Sequence, residues 1–91
     1  MTEVLIVDDS SAVRTIVRRV LEGMRLHTSE ASNGIEALAA CSRVMPDAVL
    51  VDGALPEIDG FEFARRLRKL PSGDRTKVVI CGAVPGTGSG V

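Results

Sequence analysis

Three carboxylates stand out because each closes a run of apolar residues. Val4-Leu5-Ile6-Val7 stops at Asp8-Asp9, and Ala48-Val49-Leu50-Val51 stops at Asp52. Short continuous apolar runs of this kind read as strands buried on both faces. In a parallel sheet the carboxyl ends share one edge, and the crevice outside that edge is where open α/β sheets bind ligands. Asp8, Asp9 and Asp52 are therefore expected in one pocket. Two unit charges about 4 Å apart repel by about 4 kcal/mol at an effective dielectric of about 20, a large share of the roughly 5–15 kcal/mol that stabilises a domain. Such a cluster needs a cation. Oxygen ligands without His or Cys at the same edge suit a hard ion, and Mg²⁺ with several retained waters fits an open crevice. A carboxylate beside that ion can attack phosphorus and form an acyl phosphate. Asp52 is the better nucleophile because it stands alone at its strand end. A plainer alternative has these acids cap the helices that follow. It accounts for Asp9 but not for Asp52, which Gly53 to Asp59, seven residues, separate from the next helix.

The elements that must position these acids alternate along the chain. After Asp9, Ser10 caps a helix whose stripe is Val13, Ile16, Val17, Val20 and Leu21, and Gly23 ends it. Leu26 to Ala31 is a more polar strand suited to a sheet edge. Asn33, with Glu36 three residues on, opens a second helix that carries Ile35, Leu38, Ala39 and Ser42 on one side and closes at Met45-Pro46. Asp47 to Asp52 is another buried strand. Asp59-Gly60 starts a third helix with Phe63, Leu67 and Leu70 inward and Arg65, Arg66, Arg68 and Lys69 outward. Pro71-Ser72-Gly73-Asp74 breaks it, and Lys77 to Cys81 is a third buried-type strand. Strands alternating with helices imply a parallel sheet with right-handed crossovers and helices on both faces.

The 91 residues make one small domain, with 45% hydrophobic and 25% charged residues. A net charge of −1 gives no electrostatic reason to expect nucleic acid or a membrane surface as partner. The apolar runs fall far below the about 18–20 residues that span a bilayer, and no signal-like segment follows Met1, so a cytoplasmic setting is expected. Cys41 and Cys81 are both expected as buried reduced thiols. Aromatics are only Phe61 and Phe63, so Val, Leu, Ile and Ala must build the core. Arg14, Arg18 and Arg19 read as a solvated helix face, and His27 as an exposed strand residue.

The run Val4-Leu5-Ile6-Val7-Asp8-Asp9-Ser10, followed by Asp52-Gly53-Ala54-Leu55-Pro56-Glu57-Ile58-Asp59-Gly60, resembles the receiver domain of two-component response regulators, closest to single-domain chemotaxis-type (CheY-like) receivers. Ala31-Ser32-Asn33-Gly34 with Ala37-Leu38, and Gly60-Phe61-Glu62 running to Leu67-Arg68, extend the likeness from Val4 to about Cys81. The resemblance implies a flavodoxin-like α/β fold. Asp52 would accept phosphate from a phosphohistidine on a sensor histidine kinase or histidine phosphotransferase. Asp9 and Asp52 would bind Mg²⁺ directly, Asp8 largely through water, and the carbonyl of Ala54 would complete the ligands. Pro56 and Gly60 would shape the loop.

The pattern also departs from the family. Receivers carry a Ser or Thr hydroxyl at the end of the fourth strand, where this chain has Gly82. They carry a lysine at the end of a fifth strand, which is not reached here, and Lys69 and Lys77 are poor substitutes. The expectation is a C-terminally truncated receiver over residues 1–82, with about four strands and three helices, lacking the last strand and last two helices. Residues 83–91 form a glycine-rich flexible tail. That would expose Val78 to Ile80 and part of the Val13, Ile16, Val17 and Val20 face, favouring a homo-oligomer, with swapped elements as one form. The function expected is phosphoryl acceptance, read by a downstream protein, with at most self-phosphorylation and slow self-dephosphorylation rather than enzymatic turnover. Two rivals are a degenerate receiver that docks or self-associates without a phosphorylation cycle, and an aspartyl hydrolase. The hydrolase is disfavoured because no acid sits two residues after Asp52.

Overall fold

A computed structural model describes residues 2–82. The order is β1 (Glu3–Val7), α1 (Ser11–Gly23), β2 (His27–Ala31), α2 (Gly34–Arg43), β3 (Ala48–Asp52), α3 (Gly60–Leu67) and β4 (Lys77–Cys81). The strands form one parallel sheet in the order β2-β1-β3-β4, with Val7 beside both Ala31 and Val51, and Asp52 beside Cys81. This is the flavodoxin-like arrangement expected from the alternation, with four strands and three helices among the described residues. The expected tail, residues 83–91, lies outside them. Among the described residues no helix is long and apolar enough to cross a membrane.

Strand alternation sorts the side chains into two layers. Leu5, Val7, Val49 and Val51 face α2 and α3, where they pack with Ala31, Ala37, Cys41, Phe63 and Leu67. Ile6 and Leu50 face the opposite way, toward Val13 and Val17 of α1. That second layer is thinner. Leu50 is half-buried, and on α1 no residue is buried, with Ile16 64% and Val20 60% exposed. Leu50 pairs with Val79 in the register, so Val79 stands on the same open side, 49% exposed.

Four expectations need correction. β4 is not a buried strand: Lys77, Val79 and Cys81 are exposed and Val78 and Ile80 half-buried, because among the described residues β4 is a sheet edge with one face uncovered. For the same reason Cys81 is exposed and only Cys41 is buried. The inner face of α2 is Gly34, Ala37 and Cys41, with Leu38 partly buried, whereas Ile35, Ala39 and Ser42 are exposed. The larger apolar residues suggested the wrong face. Ile58 lies over the first turn of α2, where a Cβ on Gly34 would stand 2.5 Å from its Cγ1, so small residues mark the contact. Both α2 and α3 end earlier than expected, at Arg43 and Leu67.

The N-terminal caps fall where the sequence placed them, whereas α1 is capped at its other end by Met24, with Arg25 rather than Gly23 taking a positive φ of 64°. Ser10, Asn33 and Asp59 accept from the backbone N–H groups of Val13, Glu36 and Glu62. Arg65 and Arg66 both donate to Glu62, and these bonds, Arg66 first, hold its carboxyl below the usual range. Arg68 is not merely solvated. Its guanidinium donates to the carbonyls of Gly73 and Thr76, closing the turn that follows α3. Thr76, 3% exposed, donates its hydroxyl to the carbonyl of Pro46 at 2.8 Å and ties the start of β4 to the loop before β3.

Candidate phosphoryl and metal site

The carboxyl ends of β1 and β3 bring Asp8, Asp9 and Asp52 together, each offering a carboxylate oxygen within 4.8 Å of the others. Hydrogen bonding holds Val7 level with Val51, so acids that follow these residues in sequence meet at one edge. Asp8 and Asp52 are half-buried and Asp9 is exposed, giving the cluster a floor and an open side. Ser10, rather than Asp9, caps α1, which removes the plainer role for Asp9. Among the described residues none of the three carboxylates sits in an ion pair.

Main-chain bonds set the orientation of two of the acids. Asp8 Oδ1 accepts from the Ser10 N–H at 2.9 Å, and its own N–H donates to the Ala31 carbonyl at 3.2 Å. Asp52 Oδ1 accepts from the Ala54 N–H at 3.0 Å, so Ala54 adjoins the acid it was expected to assist. The Gly53 N–H donates to the Cys81 carbonyl at 2.7 Å, extending the β3–β4 ladder past Asp52. Gly60 comes close underneath. A Cβ there would lie 2.9 Å from the Asp52 carbonyl oxygen, which explains why a residue without one starts α3. Between them, Leu55 and Ile58 are buried and anchor the loop, while Glu57 takes φ 67°. Pro56 is exposed.

The donor set fits a hard divalent ion. Contrary to expectation a cysteine does share this edge, because the β3–β4 register sets Cys81 beside Asp52, but among the described residues the ligand cluster itself is three carboxylates, whose mutual repulsion such an ion relieves. Beside the acids a hollow of about 80 Å³ runs under α1, lined by Ile6, Val13, Val17, Leu50 and Cys81.

Gly82 also reaches the site. Its φ is +88°, and a Cβ would stand 3.2 Å from Asp52 Oδ1. The two lysines considered from sequence are elsewhere. Lys77 pairs with Ala48, at the end of the sheet opposite Asp52, and Lys69 follows the C-terminal end of α3, whose N-terminus adjoins Gly53. Sequence reading missed Arg14, assigned there to a solvated face. Its guanidinium donates to the Asp8 carbonyl and to Glu30. The one local signal is its position one turn beyond the Ser10 cap, which returns its side chain toward the strand end.

The chain is similar to several known proteins. The family described as "Response regulator receiver domain" matches residues 4–86. The chain is 37% identical over 86 residues to the chemotaxis protein CheY of Listeria monocytogenes, covering 92% of this chain and 70% of the relative. It is 46% identical over 67 residues to a protein-glutamate methylesterase/protein-glutamine glutaminase of Hahella chejuensis, covering 71% of this chain but only 19% of that protein. Other curated relatives are likewise longer, the match covering from 8% to 55% of three of them. Among solved structures, the receiver domain of sensor histidine kinase PA1611 from Pseudomonas aeruginosa, with magnesium coordinated in its active-site cleft, superposes with TM-score 0.85 at 27% identity, covering 97% of this chain and 74% of that one.

Proposed function

This chain belongs to the response regulator receiver family of two-component signalling, and from that premise we propose that Asp52 accepts a phosphoryl group from a phosphohistidine of a sensor histidine kinase or histidine phosphotransferase. The observation that carries the reading is the meeting of the Asp8, Asp9 and Asp52 carboxylates within 4.8 Å at the carboxyl edge of the sheet. A carboxylate oxygen of Asp52 attacks phosphorus, the P–N bond breaks, and the donor imidazole leaves with the electron pair, producing an acyl phosphate on Asp52. The bond from the Ala54 N–H to Oδ1 fixes the plane of the attacking carboxylate.

Asp9 and Asp52 would hold Mg²⁺ directly, with Asp8 acting through water and the Ala54 carbonyl as a further ligand. When bound, the ion neutralises charge on the group being transferred. Two residues beyond Asp52 the chain has Ala54, which supplies no acid to drive hydrolysis. The protein is therefore proposed as an acceptor with slow self-dephosphorylation rather than a turnover enzyme. It works in the cytoplasm, between a kinase and a downstream protein target that reads the phosphorylated surface.

Incubation with Mg²⁺ and acetyl phosphate, followed by intact-mass measurement, tests the reading. The expected result is a gain of one phosphate that disappears in Asp52→Asn and on chelation of the metal. Folded, Mg²⁺-binding protein that gains no phosphate would instead make the chain a docking module.

A further inference from the structure

The peptide joining Asp8 to Asp9 is held by a side chain from the following helix. Arg14 Nη1 donates to the Asp8 carbonyl at 2.5 Å, and its Nε donates to Glu30 Oε1 on β2 at 3.0 Å. Its side chain is only 17% exposed. One planar guanidinium thus ties the end of β1 to the neighbouring strand, which a point-charge ammonium cannot do from the same stem. Arg18 Nη1 lies 3.7 Å from Glu30 Oε2 and steadies the anchor.

The carbonyl of Asp8 lies in the rigid peptide plane that ends at the Cα of Asp9. Fixing that oxygen therefore fixes the point from which the Asp9 side chain departs. Asp8 itself is already tied by its N–H to Ala31 and by Oδ1 to Ser10. Asp9 is exposed, and the Arg14 bond is what holds the peptide leading into it.

We propose that Arg14, anchored by Glu30, is a positioning residue for divalent-cation binding. It sets the Asp9 carboxylate in register with Asp52 and so raises the affinity of the cluster for Mg²⁺. This rests on the metal-binding reading above. Arg14 does so against its own charge, because a cation beside an acidic cluster repels a second one. Positioning and simple charge therefore give opposite signs for a neutral substitution, and different results for a charge-preserving one.

The test is calorimetric titration of MgCl₂ into the 91-residue chain, into Arg14→Met and Arg14→Lys, and into Asp9→Asn as a control, with thermal unfolding of each. Outer-shell partners of metal ligands are worth about 10–100-fold in affinity, so Arg14→Met is expected to weaken Mg²⁺ binding by about tenfold. Arg14→Lys, which keeps the charge and loses the fork, falls between it and the parent. Tighter binding in Arg14→Met with unchanged binding in Arg14→Lys would overturn the proposal in favour of charge alone. Loss of the fold in both Arg14 variants would overturn it in favour of a structural clamp. Failure of the parent chain to bind, or unchanged binding in Asp9→Asn, would instead sink the metal-site reading and this inference with it.

Discussion

A side chain at position 82 would have to accept φ +88° and place its Cβ 3.2 Å from Asp52 Oδ1. Restoring the family hydroxyl there is therefore not a simple repair. Gly82→Ser is expected to lose about 1–2 kcal/mol, the cost of a left-handed residue with a Cβ, in urea unfolding, and to take up phosphate no faster than the parent. The cysteines allow an independent check of residue environments. Burial pushes the Cys41 thiol up from its ordinary value, whereas Cys81 is exposed. Iodoacetamide should label Cys81 quickly and Cys41 only on unfolding. The sign for stability follows from the same shift. A thiol raised in the folded state is protonated and harmless below its unfolded value. Above that value the unfolded chain ionises first, so the contribution of Cys41 is lost as pH climbs through the raised folded value. Denaturation midpoints should fall over that alkaline range in the parent and fall less in Cys41→Ala.

The elements differ in how much each depends on its neighbours. Phe63 and Leu67 of α3 are fully buried against the sheet, so Phe63→Ala should cost about 3–5 kcal/mol, enough to leave much of the protein unfolded by equilibrium denaturation. Ile16 of α1 is the contrasting case. It has the apolar character of a core residue but is 64% exposed within one chain, so at protein concentrations low enough to keep the chain single Ile16→Lys should change stability by less than about 0.5 kcal/mol. This contrast marks what was legible in the chain. Strand ends, N-caps and the inward residues of α3 follow from local rules of period and hydrogen bonding, so the meeting of Asp8, Asp9 and Asp52 is legible in the sequence. The inner face of α2 is not, because Ile58 from a distant loop selects Gly34 for contact over the larger Ile35. Arg14 and Thr76 were hidden for a similar reason. Their partners, Asp8 and Glu30 for one and Pro46 for the other, are set by which elements pack together rather than by spacing along the sequence.

At the scale of the whole molecule the two faces of the sheet are unequally covered. Among the described residues α2 and α3 cover one face and α1 alone lies on the other, with Leu50 half-buried and Val79 49% exposed beside it. Among the described residues β4 is an edge strand of the sheet. An apolar surface adjoining an edge strand favours association with a matching surface, and a second copy brings the same two features. A two-fold pairing of such copies is isologous, so each side chain at its centre counts twice. The 91-residue chain is therefore expected to show a weight-average mass that rises with concentration in sedimentation equilibrium. Ile16→Lys combined with Val79→Lys places charge on both parts of the open side and should return the mass to that of one chain. Because neither residue is buried, the double variant should still fold, bind Mg²⁺ and accept phosphate on Asp52, which separates assembly from chemistry. A compact single chain at micromolar concentration in the parent protein would remove the second copy from the account and leave the acidic edge untouched.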